Sequence, residues 1–113
     1  MIVVTLTERG KNLSLRLEGH AGYAEHGKDI VCASASILAY TLASIIDSFD
    51  EVESAIDLKS GSTVIECRCE DEETYVKVAN AYHYTEVGYA LLALNYPKYV
   101  RLMPLHKSTE SLT

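Results

Sequence analysis

Twice along this chain the hydrophobic period changes from that of a strand pair to that of a helix, and this double change restricts the fold more than any other feature. Residues 2–7, Ile-Val-Val-Thr-Leu-Thr, are rich in β-branched side chains. Leu13, Leu15 and Leu17 then alternate with Ser14, Arg16 and Glu18, the period of a half-buried strand. The short segment 8–12 between them carries Gly10 and reads as a hairpin turn. Further on, Ile37, Leu38, Leu42, Ile45, Ile46 and Phe49 recur at helical spacing and define one apolar face. Ala33, Ala35, Ala39 and Ala43 keep that helix thin enough for close packing, and the acidic stretch 47–53 ends it.

Residues 55–59 and 63–69 predict a second hairpin around Ser60-Gly61. In its second strand Thr63, Ile65, Cys67 and Cys69 share one face, with Glu66 and Arg68 on the other. Asp71, Glu72 and Glu73 then place carboxylates in the first turn of a long helix, where the dipole favours them. That helix runs to about Leu94 and is stopped by Asn95-Tyr96-Pro97. Val76, Ala79, Val87, Ala90, Leu91 and Leu94 mark one apolar side of it, and Tyr75, Val78, Tyr82 and Tyr89 a second. Residues 99–103 suit a last short strand, with a frayed end from Pro104 onward. The order is β-β-α-β-β-α-(β), an α+β fold in which two antiparallel hairpins form a sheet with two helices. At 113 residues, the expectation is a single domain, 1–113. Two apolar sides on one helix require burial deep in the fold or against another subunit. A domain this small has limited core to cover both, so a two-fold homodimer is expected.

A net charge of −6 argues against a general nucleic-acid or membrane-surface binder, since both need a basic face. The opening strand has no basic flank or small-residue cleavage site and is far too short to span a bilayer, so the expected compartment is the cytoplasm. Three cysteines, an odd number in a reducing setting, suggest no disulfide framework.

The chemistry is concentrated between the first hairpin and the first helix, in Gly19 to Ser36, GHAGYAEHGKDIVCASAS. A nucleophilic cysteine needs a lowered pKa and a base or cation nearby. Asp29 is a fair N-cap, which puts Cys32 in the first helical turn, beside unpaired N–H groups and the positive end of the dipole. His20, at the end of a strand, is the candidate base. The backbone N–H groups of Cys32 and Ala33 are candidate oxyanion donors. Asp29 has two readings, a plain cap or an orienter of the His20 imidazole. Ser36, one turn after Cys32, either donates to the thiolate or satisfies itself on the helix backbone.

Blander readings stand beside these. A lone cysteine is more often a small buried hydrophobe than a nucleophile. His20, His26 and Cys32 with Cys67 and Cys69 are all zinc-ligand types, but their spacings fit no standard zinc pattern. His83 and His106 read as surface or half-buried fillers, and the eight tyrosines as packing residues first.

Gly19-His20-Ala21, Tyr23, Gly27, Asp29-Ile30-Val31-Cys32-Ala33 and Ser36 together resemble the signature of the ribosomal-processing cysteine protease family. The resemblance extends over nearly the whole chain, including the opening hairpin and the Tyr96-Pro97 exit from the last helix. It implies an endopeptidase that removes the N-terminal extension of a large-subunit ribosomal protein, number twenty-seven. By motif position it makes Cys32 the nucleophile and His20 the general base, with Gly19, Asp29 and Ser36 supporting. It further implies a homodimer, a loop between histidine and cysteine that orders over substrate, and chemistry without metal or organic cofactor. The alternative is a non-catalytic ribosome-assembly or binding module in which His20 and Cys32 are structural.

Overall fold

The computed structural model describes the backbone of residues 1–108 and the side chains of residues 1–103. The alternating leucines form the centre of a sheet. β1 (Ile2–Arg9) and β2 (Asn12–Glu18) are antiparallel, with Leu6 opposite Leu15 and Val4 opposite Leu17, all four buried. Their turn is narrower than the expected segment 8–12, because Glu8 is drawn onto the buried face. There Tyr75 Oη donates to Glu8 Oε2, and His83 Nε2 lies 3.4 Å from Oε1. β3 (Val52–Lys59) and β4 (Ser62–Cys69) form the second hairpin, and β4 joins β2 with Leu15 opposite Ile65. The outward face of the sheet is polar, with Arg16 and Glu66 paired across strands at 3.2 Å.

β5 (Val100–Ser108) adds to β1 in parallel and completes the sheet order β3-β4-β2-β1-β5. It is longer than expected, running on through Pro104. Proline removes a backbone donor, and two features absorb the loss. β5 is an edge strand, and its register slips where Thr5 faces Met103 but Thr7 faces His106, a bulge that takes in Pro104. The rest of the expected frayed end, residues 109–113, and the His106 side chain lie outside the described residues.

Two helices pack on each other and cover the inner face. α1 (Ile30–Asp47) turns its small residues inward: Ala35, Ala39 and Ala43 are buried with Val31, Leu42 and Ile46. Ile37 and Ile45, expected on that face, are 60% and 37% exposed instead. By length and composition alone α1 would also pass for a membrane span, but that stripe is part of the core.

α2 (Glu72–Asn95) starts at Asp71, whose side chain accepts the Thr74 N–H at 2.9 Å. Its tyrosine side faces inward. Tyr82 Oη donates to the Ile65 carbonyl at 2.9 Å and Tyr89 Oη to the Ala35 carbonyl at 2.8 Å, so each buried phenol is satisfied and ties α2 to a neighbouring element. Of the other expected side only Ala79 is buried. Val76, Val87, Leu91 and Leu94 are 48–75% exposed on the single chain, because a helix laid on one sheet has one inner side.

Candidate active site

Two close approaches steer the chain as it leaves β2. Gly19 has φ +92°, and a Cβ there would meet the Met1 carbonyl oxygen at 2.5 Å, so the position needs glycine. Its N–H extends the β2–β4 ladder by donating to the Gly61 carbonyl at 2.9 Å. His20 follows, exposed, with its imidazole lying over Gly61 in the β3–β4 turn.

The loop that leads from His20 to α1 is gathered by one carboxylate. Asp29 Oδ1 accepts the N–H groups of Val31 and Cys32 at 3.0 and 2.9 Å, the N-cap of α1. Its Oδ2 accepts those of Tyr23 and Ala24 at 3.0 and 3.3 Å. Burial opposes the charged form, but the donors on Cys32, Ala24, Tyr23 and Val31 outweigh it and hold the carboxyl below the usual aspartate range. Of the two readings of Asp29 the structure forms the cap. Both oxygens serve backbone groups, and among the described hydrogen bonds none joins Asp29 to His20. Tyr23 pins the middle of the loop, edge-on to Tyr96 and Tyr99 at 5.6 and 5.1 Å between centroids.

Cys32 is the third residue of α1 and half-buried, and its Sγ accepts the Ala21 N–H at 3.4 Å. The sulfur therefore ties the start of the loop to α1, as Asp29 ties its middle. The N–H groups of Cys32 and Ala33, expected to face a substrate oxyanion, are engaged otherwise. The first donates to Asp29 Oδ1 and the second to the Asp29 carbonyl at 3.0 Å. The cap takes one and the first turn of the helix takes the other. Ser36 is half-buried one turn on, and its hydroxyl makes no bond back to the helix among the described contacts, unlike those of Ser34 and Thr41.

Gly19, His20, Asp29, Cys32, Ala33 and Ser36 all line one cavity of about 570 Å3, closed on its far side by Lys59 to Thr63. A second groove, of about 680 Å3, lies beside the β1–β2 turn, but the thiol it offers, Cys67, is 5% exposed. Burial pushes that thiol up to about 12 and raises Cys69 as well. Cys32 is thus expected to react with iodoacetamide well before Cys67 or Cys69. Peptide mapping after a brief exposure at neutral pH checks this, and equal labelling of the three would contradict a distinctive thiol. The zinc constellation is not assembled: among the described residues no three His, Cys, Asp or Glu side chains come together as a metal site. His26 lines the same cavity as His20, while Cys67 and Cys69 belong to the core.

Three contacts at the site have no local signal: the imidazole over Gly61, the Ala21 N–H on Sγ, and Tyr23 on the exit of α2. The first and third join segments far apart in the chain, and the second closes the loop between Ala21 and Cys32. Ser60-Gly61 is legible as a turn, but a turn signal does not say what packs on it.

A half-buried thiol in the first turn of a helix, sharing a cavity with a histidine on an α+β scaffold, is the equipment of a thiol-dependent hydrolase. Residues 1–101 match the sequence profile of a family described as cysteine protease Prp, and the chain belongs to that family. Its fold is similar to that of the S. aureus ribosomal processing protease Prp solved with a covalently linked product peptide. The TM-score is 0.75 at 22% identity, over 96% of this chain and all of that one (100%). The same S. aureus protease with a substrate peptide gives 0.69 at 20% identity, over 96% and 100% of the two chains. SMU.848 from Streptococcus mutans is 28% identical, with a TM-score of 0.68 over 96% of each chain. No curated protein sequence matches this one.

Proposed function

We propose that this protein is a cysteine endopeptidase that removes the N-terminal extension of large-subunit ribosomal protein number twenty-seven during ribosome maturation. Cys32 is the nucleophile and His20 its acid–base partner. The observation that carries this reading is the Cys32 sulfur itself, held at the start of α1 by the Ala21 N–H in the cavity that His20 also lines. Family membership supports the protease chemistry, and the S. aureus relatives, solved with substrate and product peptides, support a peptide substrate.

In the reaction His20 takes the Cys32 thiol proton, the thiolate attacks the scissile carbonyl carbon and a C–S bond forms. The C–N bond then breaks, and His20 gives its proton to the leaving amine. Water, deprotonated by His20, attacks the thioester, releases the new carboxylate and returns the thiol. The Ala21 N–H, which donates to Sγ, keeps the sulfur at the start of α1. Gly19 sets the entry of His20, Asp29 holds the helix start and the loop together, and Ser36 presents a hydroxyl one turn from the sulfur. The acidic net charge suits a protein substrate better than direct nucleic-acid or membrane binding, and three unpaired cysteines suit the cytoplasm. Incubation with the unprocessed ribosomal protein should shorten that substrate by the mass of its extension. An unchanged mass after long incubation would remove the proposal.

Val87, Leu91 and Leu94, exposed at helical spacing along α2, support a two-fold homodimer that closes on this side of the helix. Light scattering is expected to give twice the chain mass at micromolar concentration, and Leu91→Asp to lower it to the monomer. A wild-type monomer throughout that range would dispose of the dimer.

A further inference from the structure

We infer that the β3–β4 turn seats the His20 imidazole, and that Gly61 is the positioning residue on which this seating depends. The inference rests on the proposed role of His20 for its catalytic consequence, though not for its geometry. A Cβ built on Gly61 would lie 2.7 Å from Nε2 of His20, closer than real contacts come, and 3.1 Å from Cε1, tighter than most. The ring therefore rests on a bare Cα. The same residue holds the backbone that carries the ring, since its carbonyl accepts the Gly19 N–H at 2.9 Å. One turn thus fixes both the root and the tip of the histidine. A carboxylate often performs this service for a catalytic imidazole. Here the nearby candidate, Asp29, has both oxygens committed to backbone N–H groups. Packing on the turn takes the place of that hydrogen bond.

The backbone explains why the place is open. The Ser60-Gly61 turn has positive φ at its second residue, +79° at Gly61, the sign pattern of a type II turn. Glycine satisfies that conformation and leaves room for the ring at once. The two demands separate by substitution. Gly61→Ala meets neither. Gly61→Asn tolerates the left-handed backbone but carries the same Cβ. The atoms in the way belong to a side chain, so the ring yields and the fold survives.

Both variants are expected to melt as folded proteins and to lose kcat by on the order of 10- to 100-fold, with KM nearly unchanged, because small misplacements of a reacting group cost that much. If backbone strain alone mattered, asparagine would rescue. Gly10→Ala is the matched control, a positive-φ glycine in the β1–β2 turn at the opposite end of the sheet, and its cleavage rate should stay at the wild-type level. The direct readout is a nuclear Overhauser contact between the His20 ring protons and the Gly61 Hα, present in the wild type and weakened in Gly61→Asn, where the ring has moved off. Absence of that contact in the wild type overturns the seating, whatever the protein cleaves. So does a Gly61→Asn protein that cleaves at the wild-type rate, or a Gly10→Ala protein that loses as much. A wild type that shows the contact but cleaves nothing leaves the seating in place and overturns the protease reading alone.

Discussion

Cys32→Ser is expected to abolish cleavage of the ribosomal precursor while the melting temperature and substrate binding stay close to wild type. Serine keeps the shape of the side chain and can still accept the Ala21 N–H that reaches Sγ at 3.4 Å. What it lacks is a readily formed anion, and a histidine placed to serve a thiolate is a poor activator of a hydroxyl of far higher pKa. His20→Ala should lose roughly 10²–10⁴-fold, the usual worth of a positioned acid–base. The two losses should not add, because nucleophile and base act as one unit. Single-turnover cleavage of the full-length precursor by each variant and by the double variant decides the matter. Cleavage by Cys32→Ser at the wild-type rate would end the protease reading and leave the binding module in its place.

The order of elements was legible because strand and helix periods are local. Leu13, Leu15 and Leu17 mark β2 unaided, and the expected cap at Asp29 and the stop at Tyr96-Pro97 fall where the structure has them. What failed was the choice of face. Ile37 and Ile45 are large apolar residues, yet α1 turns Ala35, Ala39 and Ala43 inward beside Val31, Leu42 and Ile46, and helical spacing alone did not choose between these two overlapping faces. Glu8 looked like a turn residue until Tyr75 and His83, both on α2, came to meet it. β5 was underestimated for a similar reason: proline ends a strand by local rules, and only its register against β1 shows the bulge that admits it. At the site, residue types and spacing pointed to His20, Cys32 and Asp29. Hydrogen bonding then redistributed their partners. The N–H groups of Cys32 and Ala33 go to Asp29, and the imidazole goes to a turn some forty residues away.

Asp29 offers the sharpest separation of structure from chemistry, because its two oxygens do different things. Asp29→Ala deletes the cap and the loop clasp together. It should lose at least the ~0.5–2 kcal/mol of a helix cap, more if the loop's own order contributes, and most of the cleavage activity with it. Asp29→Asn is the finer instrument. An amide has one acceptor oxygen, and if that oxygen keeps the N–H groups of Val31 and Cys32, the NH₂ group confronts those of Tyr23 and Ala24, donor against donor. The helix should keep its start, so the melting temperature falls by less than in the alanine variant. The loop should come loose, so proteolytic nicking within residues 21–28 rises and cleavage of the precursor falls. The carboxylate also carries a pH signature. Its native pKa lies below the usual aspartate range despite burial, so its contribution to stability is complete above about pH 4 and is lost as the pH falls through the lowered native value. Denaturant melts of the wild type should therefore weaken over that acidic window more steeply than those of Asp29→Asn, which has no carboxylate there to protonate. Equal acid dependence of the two would show that Asp29 is not held by its four N–H donors, and the account of how Cys32 is placed would fail with it.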